Sequence, residues 1–130
     1  MEVKIRDLIN TKLQENYGSD LWEEAVPSDI RVVVEQRIES QVKAHPYELE
    51  KYSSLEGKLN FLDIMDYSKI ILSNWNIFAG IFSSKGELEK HFLALKHYRN
   101  GVKHSRDMNP VVQKNGEASV LWFESVLSSK

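Results

Sequence analysis

The chain has 130 residues, a length that fits one ordinary domain able to bury a core without disulfides or metal staples. Hydrophobic residues at 42% and charged residues at 28% argue against disorder of the whole chain. The lack of cysteine excludes a disulfide scaffold, a thiolate zinc site, an iron–sulfur cluster and a cysteine nucleophile, and the net charge of -2 gives no global signature of nucleic-acid binding.

The opening Met-Glu-Val-Lys-Ile-Arg alternates apolar and charged residues, so neither a signal peptide nor a membrane span is expected. That reading predicts a soluble, cytoplasmic protein. Residues 2–17 carry Ile5, Leu8, Ile9, Leu13 and Tyr17 at helical spacing, and Gly18 stands where a helix C-terminal glycine belongs. A short turn with Leu21 and Trp22 follows. Pro27-Ser28-Asp29 then signals a second helix with Ile30, Val33, Val34, Ile38 and Val42 on one stripe; the consecutive valines favour a strand, but interleaved Glu35, Arg37 and Glu39 favour a helix. His45-Pro46 ends it, and residues 45–61 read as a polar loop.

From Asp63, the positions Ile64, Tyr67, Ile71, Trp75, Phe78 and Phe82 hold one helical face, making this the expected central core helix. Ser73-Asn74 is a point where it can break in two, because both side chains compete for backbone hydrogen bonds. Ser84 and Glu87 match a capping box and predict a helix starting at about Lys85, with Leu88, Phe92, Leu95 and Val102 inward. Residues 107–116, with Asn109-Pro110 and Asn115-Gly116, read as a loop before a short final helix holding Val120, Leu121, Phe123, Val126 and Leu127. With no convincing strand and no internal repeat, the expectation is a single all-α domain, a bundle of four to five main helices.

The chemistry concentrates at the end of the Lys85 helix, in Arg99-Asn100-Gly101-Val102-Lys103-His104. Arginine is a permanent, forked cation suited to phosphate oxygens, and histidine exchanges a proton near neutral pH. Lys96, Arg99, Lys103 and Arg106 fall in a stretch without an acidic residue, and Tyr98 is the aromatic placed for nucleotide contact. Plainer roles remain open: an intrahelical ion pair or carbonyl cap for Arg99, and a helix C-terminal dipole contact for His104. Trp22 and Trp75 read as core, and Trp122 as core or interface. His91 and His97, six residues apart, do not form a metal motif, so no metal or cofactor is expected.

An arginine and asparagine followed, after three residues, by a histidine at a helix end resembles the motif of the HEPN (higher eukaryotes and prokaryotes nucleotide-binding) superfamily. Tyr17-Gly18, Trp22, Val26-Pro27, Asp66-Tyr67, Asn74-Trp75 and His104-Ser105-Arg106 flank it in order, and the whole set is similar to the branch found in Swt-type transcription-associated and bacterial defence proteins. Gly101 and Lys103 depart from the small or apolar residues common there.

The resemblance implies a HEPN-like helical domain, on its own or at the end of a longer protein, that forms a two-fold homodimer with facing motifs. It implies a metal-independent endoribonuclease or RNA-binding module in defence or RNA processing, with Arg99, Asn100 and His104 as catalytic residues and Lys96, Tyr98, Lys103 and Arg106 on the nucleic acid. RNA, an antitoxin or other domains of a longer chain are the implied partners. The competing expectation is a non-catalytic dimerisation scaffold. In a straight helix Arg99 and His104 lie about 140° apart, so one helix alone does not aim both at one point.

Overall fold

A computed structural model describes residues 1–48, 50–51, 54–103 and 109–128, and among them every regular element is helical. None of these helices is long and apolar enough to cross a membrane. The first, α1 (Glu2–Tyr17), buries Ile5, Ile9 and Leu13, one residue per turn on a single stripe. It stops at Gly18, whose φ of 60° is open to glycine at no steric cost and whose N–H bonds back to the Gln14 carbonyl. One 3-10 turn leads to the short α2 (Leu21–Ala25), which buries Leu21, Trp22 and Ala25.

Extended Val26 and Pro27 introduce α3 (Ser28–Ala44). The valine run is helical, as the interleaved charges predict, but its buried stripe is narrower than expected. Ile30 and Val34 are buried, whereas Val33 joins Val32 on the exposed side. The reason is angular: Ile30, Val34 and Ile38 repeat every four residues, and Val33 sits a full 100° from Val34. Arg37 lies at the edge of that stripe and clamps the start of a later helix, donating to the Phe61 carbonyl at 2.6 Å and reaching Asp66 at 3.3 Å and Asp63 at 3.5 Å.

The segment expected as a polar loop over 45–61 contains a 3-10 turn, Pro46–Glu48, and a short helix, α4 (Leu55–Leu59). Ser54 Oγ accepts from the Gly57 N–H at 3.0 Å, and Leu59 and Leu62 are buried in the core. Gly57 is required sterically, since a Cβ there would lie 2.1 Å from the Lys51 carbonyl oxygen.

The central helix does divide at Asn74, into α5 (Ile64–Ser73) and α6 (Trp75–Phe82). Asp63 caps α5 by accepting from the Met65 and Asp66 N–H groups, and the Asp66 carboxylate accepts from the Asp63 N–H in return. At the break Asn74 is 3% exposed; its amide donates to the Ile70 and Ala25 carbonyls at 2.8 and 3.0 Å, and its oxygen accepts from the Tyr17 hydroxyl at 3.1 Å. One side chain therefore ties α1, α2 and α5 together where the helix would otherwise leave open carbonyls.

Ser84 Oγ accepts from the Glu87 N–H at 3.2 Å and starts α7 (Lys85–Lys103) where the capping pattern places it. Leu88, Phe92 and Leu95 face inward, but Val102 is 60% exposed because α7 has by then run past the core. The last helix, α8 (Pro110–Ser128), begins inside the segment expected as a loop, capped by Asn109 Oδ1 on the Val111 N–H at 2.8 Å. Gly116 is thus not a turn residue but a buried position inside α8. A Cβ on it would come 2.3 Å from both Cβ and Cγ of Tyr98, so glycine permits a close crossing of α7 and α8.

That crossing is the most extensive helix pairing, and α7 packs next on α5. Phe92 of α7 and Phe123 of α8 are fully buried, as is Phe78 of α6, and the Phe92 and Phe123 rings lie 4.9 Å apart edge to face. The result is the all-α bundle expected from the apolar spacing.

Candidate functional site

Arg99 lies in the last turns of α7, on the stripe formed by Leu95, Tyr98, Arg99 and Val102. These four side chains form one wall of a surface groove of about 640 Å³, completed by Met1, Glu2 and Val3 of the α1 start and Val120 of α8. The walls are chiefly apolar, and Arg99, Glu2 and Tyr98 supply the polar groups. Tyr98 is oriented by its seat on Gly116, so the close helix crossing also fixes this aromatic wall.

The Arg99 side chain is 43% exposed, and its Nε lies 2.6 Å from Glu2 Oε1. This is an ion pair between helices rather than within α7. The contact is short but lacks hydrogen-bond alignment: the same carboxylate oxygen is shielded from water and has no directed donor. Charge, not hydrogen-bond geometry, holds Glu2 on Arg99.

Tyr67 of α5, 2% exposed, is buried near enough to feel the charges of the same ion pair. Burial pushes its phenol above the usual value of 10, against the opposing pull of Arg6, and the charges of Glu2 and Arg99 are also felt there. Arg6, one helical turn after Glu2 on α1, acts on the same buried phenol from outside the groove lining.

Of the residues expected to form the site, the structure brings Arg99 and Tyr98 into the groove. Lys96 and Asn100 lie on the adjacent stripe of α7 and do not line it. Lys103 ends α7; its side chain, together with His104 and Arg106, lies outside the described residues. Sequence reasoning missed Glu2, Val3 and Val120, which reach the groove only through tertiary packing. The single local signal was the Glu2 to Arg6 spacing.

A second polar cluster bridges α7 and α8. His91 Nε2 faces the Glu87 carboxylate at 3.2 Å, and its Nδ1 is 2.9 Å from Ser119 Oγ. A carboxylate only accepts, so Nε2 carries the proton and Nδ1 accepts from the serine hydroxyl. The Trp122 ring stacks on the imidazole at 4.3 Å, which places this tryptophan in interhelix packing rather than on a free base-stacking surface. Burial lowers the His91 pKa from its usual 6.5, outweighing Glu87. Ser119 is 1% exposed, so the cluster is a packed interhelix link.

Among the described residues no group of three or more histidine, aspartate or glutamate side chains is placed to hold a metal ion. Comparison of the chain with family models, with curated proteins and with solved structures finds no match.

Proposed function

We propose that the chain is a HEPN-like domain that binds RNA through the Arg99 groove and, paired with a second copy, cleaves it without a metal. The observation that carries this reading is a half-exposed arginine set beside a tyrosine in an open groove, on the helix that leads directly into His104. Arginine in a partly apolar groove is the side chain best suited to hold a phosphodiester, and tyrosine offers a face on which a base can stack.

In the proposed reaction the ribose 2′-OH attacks the adjacent phosphorus and the bond to the 5′ oxygen breaks, leaving a 2′,3′-cyclic phosphate and a 5′-hydroxyl. Arg99 stabilises the added charge on the phosphorane, and Asn100, beside the groove wall rather than in it, orients the His104 ring or a phosphate oxygen in the paired site. One His104 removes the 2′ proton while the second subunit's His104 protonates the leaving oxygen. The need for a 2′-OH excludes DNA. The reading places the protein in the cytoplasm, in defence or RNA processing, with an antitoxin or the rest of a longer protein as its restraint.

A second reading, a non-catalytic homodimerisation scaffold, is favoured by the apolar rim of the same groove, where Val3 and Val102 are exposed beside Leu95 and Val120. Cleavage of single-stranded RNA in EDTA, lost in His104→Ala with the dimer intact, supports the nuclease. Absence of cleavage, with Arg99→Ala weakening association, supports the scaffold.

A further inference from the structure

We propose that the Arg99 groove is an anion site closed by the chain's own Glu2, whose carboxylate occupies the guanidinium that a phosphate group must reach. This deepens the RNA reading by naming a regulator of the same groove, and rests on it in taking Arg99 as the ligand-binding group.

Three observations carry the inference. Glu2 Oε1 sits 2.6 Å from Arg99 Nε, yet that oxygen has no aligned donor, so the pair forgoes the two parallel N–H···O bonds that make arginine–oxyanion recognition strong. A phosphate entering an open groove is free to adopt the aligned geometry and brings more charge and more acceptor oxygens. The residue that must yield is also suited to yielding: Glu2 is the first residue of α1, in the turn where helices fray, and its side chain is partly exposed. Finally, among the described residues lining the groove Glu2 is the one acid, so the site is left with an uncompensated Arg99 charge when Glu2 leaves. Displacing one carboxylate therefore opens a site with a free guanidinium, the Tyr98 ring and apolar walls, which fits a phosphate-bearing ligand.

Glu2 thus sets a threshold. A lone weak anion does not displace it, whereas a multiply charged phosphate chain does. The cost of opening falls with added salt, since a half-exposed pair is screened.

The test is calorimetric titration of pyrophosphate, with anisotropy of a labelled single-stranded RNA in parallel, at low ionic strength. Wild type, Glu2→Gln, Glu2→Ala, Arg99→Gln and the Glu2→Gln/Arg99→Gln double variant are compared, each checked for folding by circular dichroism. Removing the competing carboxylate is expected to tighten pyrophosphate binding about threefold in both Glu2 variants. Arg99→Gln abolishes the gain. Glu15→Gln, which lifts the same formal charge at the far end of α1, leaves binding unchanged.

Unaltered affinity in both Glu2 variants, or a gain that persists in the double variant or appears equally in Glu15→Gln, overturns the inference. If pyrophosphate shows the gain but no variant binds RNA, the gated anion site stands and the RNA reading falls. Arg99-dependent RNA binding without a Glu2 effect has the opposite meaning. No binding of either probe by any variant removes both.

Discussion

Replacing Gly116 by alanine tests how the bundle holds its candidate groove. Alanine is the best helix former, and on propensity alone the change inside α8 would stabilise the protein by about 1 kcal/mol. The structure predicts the reverse. The new methyl would lie 2.3 Å from Tyr98 Cβ and Cγ and 2.7 Å from Cδ1, far inside van der Waals contact. Rotation about χ1 of Tyr98 moves Cγ and Cδ1 away but leaves Cβ, which is fixed to the α7 backbone, so α7 and α8 must separate by about 1 Å. Separation loosens the most extensive seam of the fold, including the Phe92–Phe123 contact. Overpacking of this kind costs roughly 1–3 kcal/mol beyond the propensity gain. We expect a net loss of about 2 kcal/mol, seen as a lower urea midpoint at unchanged m-value and a Tm lower by roughly 6–10 °C. Tyr98→Ala in the same background should recover only part of the helix crossing, because the Cβ overlap persists. A Gly116→Ala protein as stable as wild type, or more stable, would refute the reasoning.

Asn74→Ala should cost about 2–3 kcal/mol by urea denaturation, because it strips the buried Ala25 carbonyl of its donor and the Tyr17 hydroxyl of its acceptor; Tyr17→Phe, losing one part-buried bond, should cost about 1 kcal/mol. His91 is lowered in the folded state by burial, so between that lowered value and 6.5 the unfolded chain holds the extra proton. Its contribution is therefore full above about pH 6.5 and declines as pH falls toward the folded-state value. The Tm of wild type should drop between about pH 7.5 and pH 5.5 more steeply than that of His91→Gln, and equal slopes would show that burial of this imidazole is not felt.

The helices were legible where one stripe of apolar residues met a clear stop. Ile5, Ile9, Leu13 and Gly18 define α1 almost completely, and Ser84 with Glu87 marks the start of α7. The Asn74 break was visible as a polar residue inside an apolar run, although its role as the tie to Tyr17 and Ala25 depends on partners 57 and 49 residues away. Local reading failed at Asn115-Gly116 because the pair is a turn signal only when nothing else needs the missing side chain. Here Tyr98 needs it, and the helix runs through. Val33 and Val102 failed for a related reason: spacing names a face, but the neighbours decide how wide that face is and where its cover ends. At the groove, Arg99 and Tyr98 were accessible from sequence as a charged and aromatic pair on one helix. Glu2 was not, since an ion pair across 97 positions leaves no periodic trace.

The most direct test is incubation of the full chain with single-stranded RNA in EDTA at low salt, followed by end-group analysis of the products. Cleavage to 2′,3′-cyclic phosphate and 5′-hydroxyl ends is expected, abolished in His104→Ala and strongly reduced in Arg99→Ala, with both variants folded. Intact RNA together with no detectable RNA binding would contradict the nuclease reading, leaving the Arg99 groove as a contact surface between helical domains.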